Sequence, residues 1–370
     1  MKIARVELKP CVMRKEDPNW RFALGASPTT EGVVVSLVSE DGVSGFGYGS
    51  ATPHMGAPQH SLIAALERFA PLLEGRDSFA VEETSQMLEQ DLAGQNQAKA
   101  AIDCALHDLN ARALKIPLCH LFGGKVRDYV PILRILAIKA SDEMAAQAER
   151  LVAAGYRYLK IKLHGDVEDD VARVRAIRAR IGDKIGLTVD ANQSYSVKDA
   201  IAALNRMAEL DIDLAEQPVA KGDLQGLKHV TENVPIPVEA DESAASVAQV
   251  FELVREHVVD AVSLKIPKLG GLTNTVTAAR ICEAGGVEYR MGAAVGSRLL
   301  AAQAMHLAAA LPEIAYACEL GEFDRLLDDP FEGIEIENGR LKLPEGPGSG
   351  VSLRAQATAA PARKQAARLN

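Results

Sequence analysis

The chain has 370 residues, 48% of them hydrophobic, which is enough apolar material for two domains or for one large barrel with additions. Its net charge is −9 and only 4% of its residues are aromatic, with no basic stripe carrying interleaved aromatics, so nucleic acid is excluded as an expected partner. No secretory h-region opens the chain and no apolar run reaches membrane-spanning length, so no membrane partner is expected.

Residues 1–13 alternate like a strand, and 32–38 and 45–48 continue the pattern, with Glu40-Asp41-Gly42 as a hairpin signal. Between the first two strands lies segment 14–31, polar, rich in turn residues and carrying the only tryptophan, Trp20. A loop of that length in a compact domain is either functional or disordered. Pro53-His54-Met55-Gly56 is a second such loop. The two loops are expected to close over a substrate as a lid, with Trp20, Arg21 and His54 as specificity residues. Helical patterns follow at 59–73, 81–92 and 97–114. Residues 1–128 therefore read as an α+β module.

From residue 130 strands and helices alternate. Strands are expected at 132–138, 158–163, 185–190, 213–216, 237–240, 261–266, 287–291 and 314–319. Helices fall between them at 142–153, 168–181, 197–210, 224–232, 245–256, 272–284 and 298–310, and Ser196-x-x-Asp199 resembles a capping box. Eight strands and seven helices describe an α/β fold, a (β/α)7β barrel of the TIM type, over residues 129–330. The chain then returns through 334–343, with Asn338-Gly339 as a hairpin turn, and residues 331–355 are expected to rejoin the first module. The basic tail 356–370 reads as a solvated terminus. Five cysteines without CxxC spacing suggest reduced thiols and a cytoplasmic setting.

Residues 158–163, Y-L-K-I-K-L, read as a buried strand, yet Lys160 and Lys162 share one of its faces. Burying unpaired charge is costly, and neighbouring ammonium groups disfavour each other, so at least one lysine is expected to have a lowered pKa. That makes a lysine base. The bland alternative is an edge strand with two solvated lysines. Three later strands end in acids: Asp190, Glu216 and Asp241. Parallel strands with intervening helices bring successive ends to one face, where three acids offer oxygen ligands to a hard cation, Mg²⁺ or Mn²⁺. Lys265 ends a further apolar strand, placed to face Lys162 across that metal.

The ordered set K-I-K at 160–162, D-A-N at 190–192, E-Q-P at 216–218, A-D-E-S at 240–243 and S-L-K-I-P-K-L-G-G at 263–271 resembles the enolase superfamily. More narrowly, it resembles the muconate lactonizing enzyme subgroup among the mandelate racemase/muconate lactonizing enzyme-like proteins. A-I-D-C-A-L-H-D-L at 101–109, P-L at 117–118 and L-F-G-G at 121–124 resemble that family's capping-domain segment, so the likeness runs to about residue 351. The resemblance implies Asp190, Glu216 and Asp241 as Mg²⁺ ligands and Lys162 and Lys265 as the acid/base pair. It implies that Lys160 lowers the Lys162 pKa and contacts the substrate carboxylate. Glu319 matches the acid that ends the eighth strand, while Asn192 and Glu242 look like supporting partners.

The activity so implied is a Mg²⁺-dependent isomerase acting on a small-molecule carboxylate through an enolate, either a cycloisomerase or a racemase/epimerase, and the assembly a homo-oligomer. Two alternatives stand beside it: a sugar-acid or hydroxy-acid dehydratase, which would call for a late-barrel His that strand eight lacks, and a barrel that only binds a ligand. Cys318-Glu319-Leu320 is closer to muconate cycloisomerases, and the missing Asp-x-Asp pair lowers the dipeptide reading. His164 reads as structural. Arg290 and Arg298 flank the seventh strand end, either able to reach a second carboxylate.

Overall fold

The computed structural model describes residues 1–355; the basic tail lies outside the described residues. The first strands, Ile3–Arg14, Thr29–Ser39 and Ser44–Ser50, form an antiparallel sheet with Thr29–Ser39 in the centre. Period-two alternation sorts that central strand. Val33, Val35 and Leu37 pack on Leu62, Phe69 and Ala105 of the following helices, while Val34 joins the larger core. The glycines of Ser44–Ser50 let helix Asn96–Leu114 lie directly on the strand. A Cβ at Gly47 would stand 1.9 Å from the Ala101 carbonyl oxygen.

Seven parallel strands follow in sequential order: Leu133–Leu136, Tyr158–Lys162, Gly186–Asp190, Leu214–Glu216, Val238–Ala240, Ala261–Lys265 and Glu288–Gly292. Helices Ser141–Ala153, Val167–Ile181, Val197–Met207, Leu224–Glu232, Val247–Arg255, Leu272–Gly285 and Arg298–Ala310 connect and follow them. Several start at a side-chain cap: Asp166, Ser196, Asp223, Ser246 and Ser297 each accept a backbone N–H of the first turn. The eighth strand expected at 314–319 is reduced to isolated parallel bridges. Cys318 bonds to the first strand's edge, and Glu319 bonds to Met291 and Ala293. Those bridges close the sheet into an α/β barrel of the TIM type.

Beyond the barrel, Arg340–Lys342 pairs with both Ile336–Glu337 and Tyr129–Pro131, and Phe331–Glu332 pairs with Ser352–Leu353. Ser349 N–H donates to Asp108 at 2.6 Å and Arg112 donates to the Val351 carbonyl at 2.9 Å, which ties the return to helix Asn96–Leu114. Segment 14–31 is not structureless; it carries the small hairpin Arg21–Phe22/Gly25–Ala26. Its root is fastened to the chain after the eighth strand by the Arg14–Asp328 fork at 2.7 and 2.9 Å. Among the described residues no helix is long and apolar enough to cross a membrane, and the five cysteines are free.

Candidate active site

Parallel register brings the ionisable residues level at one barrel rim. Lys162 pairs with Asp190 on the next strand, and Asp190 with Glu216 on the one after. Lys265 pairs with Gly292, which in turn bridges to Glu319. Gly292 leaves room for Lys265: a Cβ there would lie 2.8 Å from the lysine side chain. Lys162 and Lys265 sit on the second and sixth of eight strand positions, so they face each other across the barrel.

The acids lie between them. Lys162 donates to Asp190 Oδ2 at 2.5 Å and to Asn192 Oδ1 at 2.9 Å. Lys265 donates to Asp241 Oδ2 at 2.8 Å and lies 3.5 Å from Glu319 Oε1. Lys160 is fully buried below, donating to both Glu216 oxygens at 3.0 and 2.8 Å and to Glu319. Burial disfavours its charge, yet Glu216, Glu319 and Asp190 together hold it above the usual lysine range. Burial is likewise overcome at Lys265, by Asp241, Glu319 and Glu216. Lys160 is thus not the lysine of the 160/162 pair with a lowered pKa, because carboxylates outnumber cations around it. Lys160 does not line the cavity above.

Lys268, Glu239 and Gln217 were not anticipated as members of the cluster, whereas Arg290 and Arg298 were named at the seventh strand end. Lys268 donates to the Asp241 backbone oxygen at 2.6 Å and to its Oδ1 at 2.7 Å. A continued strand would have pointed it elsewhere; instead the helical turn Ile266–Leu269 swings it back, and Pro267 near the start of that turn was the available signal. Arg290 is buried in the lumen and donates to Glu239 at 2.9 and 2.5 Å and to Glu216 Oε2 at 2.5 Å. Glu239 shares a strand face with Asp241, so period two would have found it. Arg298 instead approaches Asp329 at 3.5 Å and lies over Phe323, away from the cavity. Gln217, in a left-handed conformation with φ of 37°, accepts from the N–H groups of Asp241 and Ser243, both at 3.0 Å. The Gln of E-Q-P therefore orients the A-D-E-S turn.

Asp190, Glu216 and Asp241 each hold a lysine ammonium, and among the described residues no three acids converge tightly enough to grip one ion as they stand. The donor chemistry nevertheless fits a hard divalent cation: buried carboxylate oxygens from successive strand ends. Glu242 adds a buried second oxygen with no partner among the described residues, while its first accepts from Asn192 at 3.2 Å. Burial, followed by Asp241 and Asp190, pushes the Glu242 carboxyl up to about 7.

A cavity of about 370 Å³ lies over this rim, lined by Lys162, Asp241, Lys265 and Glu319 below and by segments 15–31 and 50–55 above. Trp20 is buried against Leu133, Ile135, Ala137 and Ala317. Phe22 stands 5.5 Å from Trp20, edge-on to His54 at 5.4 Å and 5.7 Å from Lys162 Nζ. Burial pushes His54 down to about 4, so its imidazole is neutral near pH 7. Arg21 does not line the cavity. Alternation in the hairpin turns Phe22 inward and leaves the Arg21 side chain exposed, while the Arg21 carbonyl accepts from Ile138 N–H at 3.0 Å. His164 pairs with Asp169 at 2.7 Å outside the cavity, a structural contact as anticipated.

Residues 8–123 match the family model described as the mandelate racemase / muconate lactonizing enzyme N-terminal domain, and residues 143–357 match the enolase C-terminal domain-like model. A chloromuconate cycloisomerase of Pseudomonas putida is 36% identical over 322 residues, spanning 84% of this chain and 86% of the relative. A hydrophobic dipeptide epimerase of Enterococcus faecalis is 32% identical over 355 residues, spanning 95% and 100%. The solved structure of the E. faecalis V583 dipeptide epimerase with Mg and L-Leu-L-Tyr superposes with a TM-score of 0.91 at 33% identity, covering 95% of this chain and 100% of the other. The muconate lactonizing enzyme of Pseudomonas fluorescens with muconolactone superposes at 0.93 with 29% identity, covering 96% and 98%.

Proposed function

Because this chain belongs to the mandelate racemase / muconate lactonizing enzyme family of the enolase superfamily, and is an isomerase, we propose that it moves the proton α to a substrate carboxylate. One observation carries the reading: Lys162 and Lys265 stand on opposite sides of a buried cluster of acids. Asp190, Glu216 and Asp241 would hold Mg²⁺ or Mn²⁺, which when bound supplies positive charge to the substrate carboxylate as enolate charge develops. The chain's own residues do the rest. One lysine takes the α-proton; the other, still an ammonium, stabilises the enolate or delivers a proton to the far face. In racemisation or epimerisation both lysines act. In cycloisomerisation one of them alone protonates the enolate. Asn192 holds Lys162 on its face, and Lys160 with Arg290 holds Glu216 in place.

Residues 1–128 with 331–355 are proposed as a capping unit over barrel 129–330. Trp20, Phe22 and His54 of that unit close the chamber against water, which strengthens the charge interactions inside. Gly321 bears on substrate choice. A Cβ there would meet Ile132 at 2.8 Å, so the position two beyond Glu319 offers no acid to hold a substrate amine. The test is a carboxylate library incubated in D₂O with Mg²⁺ and read by NMR for α-deuterium. At least one acid is expected to exchange, and thorough chelation is expected to stop it. Full exchange after chelation would remove the metal, and no exchange across the library would remove α-proton chemistry.

A further inference from the structure

The opposite mouth of the barrel holds a second chamber, of about 670 Å³, lined by Tyr129, Tyr158, Tyr316, Thr188 and Asp213 among others. Tyr158 begins the strand that Lys162 ends, and Asp213 directly precedes the strand that Glu216 ends, so this chamber and the acid rim lie a strand length apart. Asp213 is half-buried, and its carboxylate holds no ion pair among the described residues. Burial, followed by Asp211, pushes that carboxyl above its ordinary range. The cation that counters them, Arg178, is committed to the carbonyls of Leu210, Gly182, Ile185 and Asp211 at 2.7 to 2.9 Å. The other charges that line the chamber are taken as well. Asp128 pairs with Lys125 at 2.5 Å, and Arg127 donates to the carbonyls of Ala308, Leu311 and Pro312. Those carbonyls lie at the negative end of helix Arg298–Ala310, which offsets the guanidinium.

An aromatic ring stands beside this uncompensated carboxylate. A Cβ at Gly186 would lie 2.5 Å from the Tyr158 ring and 2.5 Å from Asp213 Oδ2, so ring and oxygen flank one glycine, within reach of a single ligand group. Tyr158 and Tyr129 are exposed despite their size. Tyr316 is held by its hydroxyl, which donates to Glu288 at 2.5 Å, and Tyr129 already carries the Arg340 guanidinium 4.8 Å from its ring centre. A half-buried carboxylate without a counter-charge favours a cation, and the face of a tyrosine attracts the same sign. A planar guanidinium satisfies both, stacking on a ring while its fork donates to a carboxylate. We propose that this chamber is a binding site for a small molecule carrying a guanidinium group, held by Asp213 and the face of Tyr158. The site stands apart from the reaction proposed for the acid rim and does not depend on it.

The test sets n-butylguanidinium against its neutral isostere, n-butylurea. Binding to the full chain is read by calorimetry at pH 7 with Mg²⁺. The guanidinium is expected to bind at one site per chain, roughly tenfold more tightly than the urea or better, the scale of a hydrogen bond between charged groups. Asp213→Asn should bring that ratio close to one. Because Asp213 lacks a counter-charge, the same variant should unfold no more easily than the wild type, which separates recognition from a folding defect. Tyr158→Leu should weaken the guanidinium by about threefold or more, while Tyr158→Phe keeps it. Equal binding of the two probes, or an unchanged ratio in Asp213→Asn or Tyr158→Leu, overturns the site. Binding that is lost in Asp241→Asn but kept in Asp213→Asn places the probe at the acid rim and overturns it too. A marked fall in Tm on Asp213→Asn would make the carboxylate a structural partner, and a dimer that this variant dissociates would put a second copy in the chamber; either result overturns the proposal.

Discussion

Arg290 is the keystone of the charge layer beneath the rim, and its removal has a calculable cost. Its guanidinium is 1% exposed and makes two hydrogen bonds to Glu239 and one to Glu216. Arg290→Met keeps much of the volume but strands Glu239 and weakens the compensation of Glu216. Breaking a buried ion pair from one side costs about 3–5 kcal/mol. With an unfolding entropy of roughly 2.1 cal/mol/K per residue over 370 residues, that corresponds to a fall in Tm of about 5 °C. The double variant Arg290→Met/Glu239→Gln removes the stranded carboxyl as well, which burial already pushes up to about 8, and should recover at least half of the loss. Urea and thermal unfolding of the wild type, both single variants and the double variant give the cycle. A cost for Arg290→Met below about 1 kcal/mol, or a double variant equal to the sum of the singles, would refute the coupling.

Two further predictions concern the scaffold. His306 is buried, accepts from Cys119 N–H at 3.3 Å, and is pushed down to about 4 by burial. With an unfolded value near 6.5, the folded state favours the neutral ring, so this contribution is fully present above pH 6.5 and is lost as pH falls toward 4. It amounts to about 3 kcal/mol. His306→Gln should flatten the fall in stability between those pH values, and an unchanged slope would contradict the assignment. Gly271 has φ of 139°, and a Cβ there would lie 2.5 Å from the Asp103 carboxylate that caps Leu272 and Thr273. Gly271→Ala should therefore destabilise by about 2 kcal/mol or more. A neutral effect in denaturant unfolding would show that the joint between the two helices can yield.

The barrel was legible because its strands are short apolar runs between amphipathic helices, and the acids and lysines stand at their ends. Strand eight was harder to place: 314–319 pairs through isolated bridges, set by its neighbours rather than by its own pattern. The shared face of Lys160 and Lys162 was read from period two, and Asp190 and Lys265 from their places at strand ends. Lys268 could not be read in either way, because a helical turn brings it back to Asp241. The direction of the shift at Lys160 was hidden from the sequence for a related reason. Sequence spacing shows that Lys160 lies beside Lys162, but only the closed barrel shows Glu216 and Glu319 converging on Lys160 from strands four and eight. Phe22 and Arg21 illustrate the same limit: which lid residues turn inward depends on a small hairpin that composition reads as a loop.

The central claim is that Lys162 and Lys265 work on opposite faces of one carbon, and face-resolved deuterium incorporation tests it most directly. With an exchanging substrate in hand, Lys162→Ala and Lys265→Ala are each incubated in D₂O and the stereochemistry of the incorporated deuterium is read by NMR. For a racemase or epimerase, each variant is expected to lose exchange of one enantiomer's proton and retain the other's. For a cycloisomerase, deuterium enters one face only and one lysine alone is indispensable. The affected step should slow by about 10²–10⁴-fold, and the double variant should be little worse than the poorer single one. Near-normal turnover of the true substrate by Lys162→Ala would contradict the account.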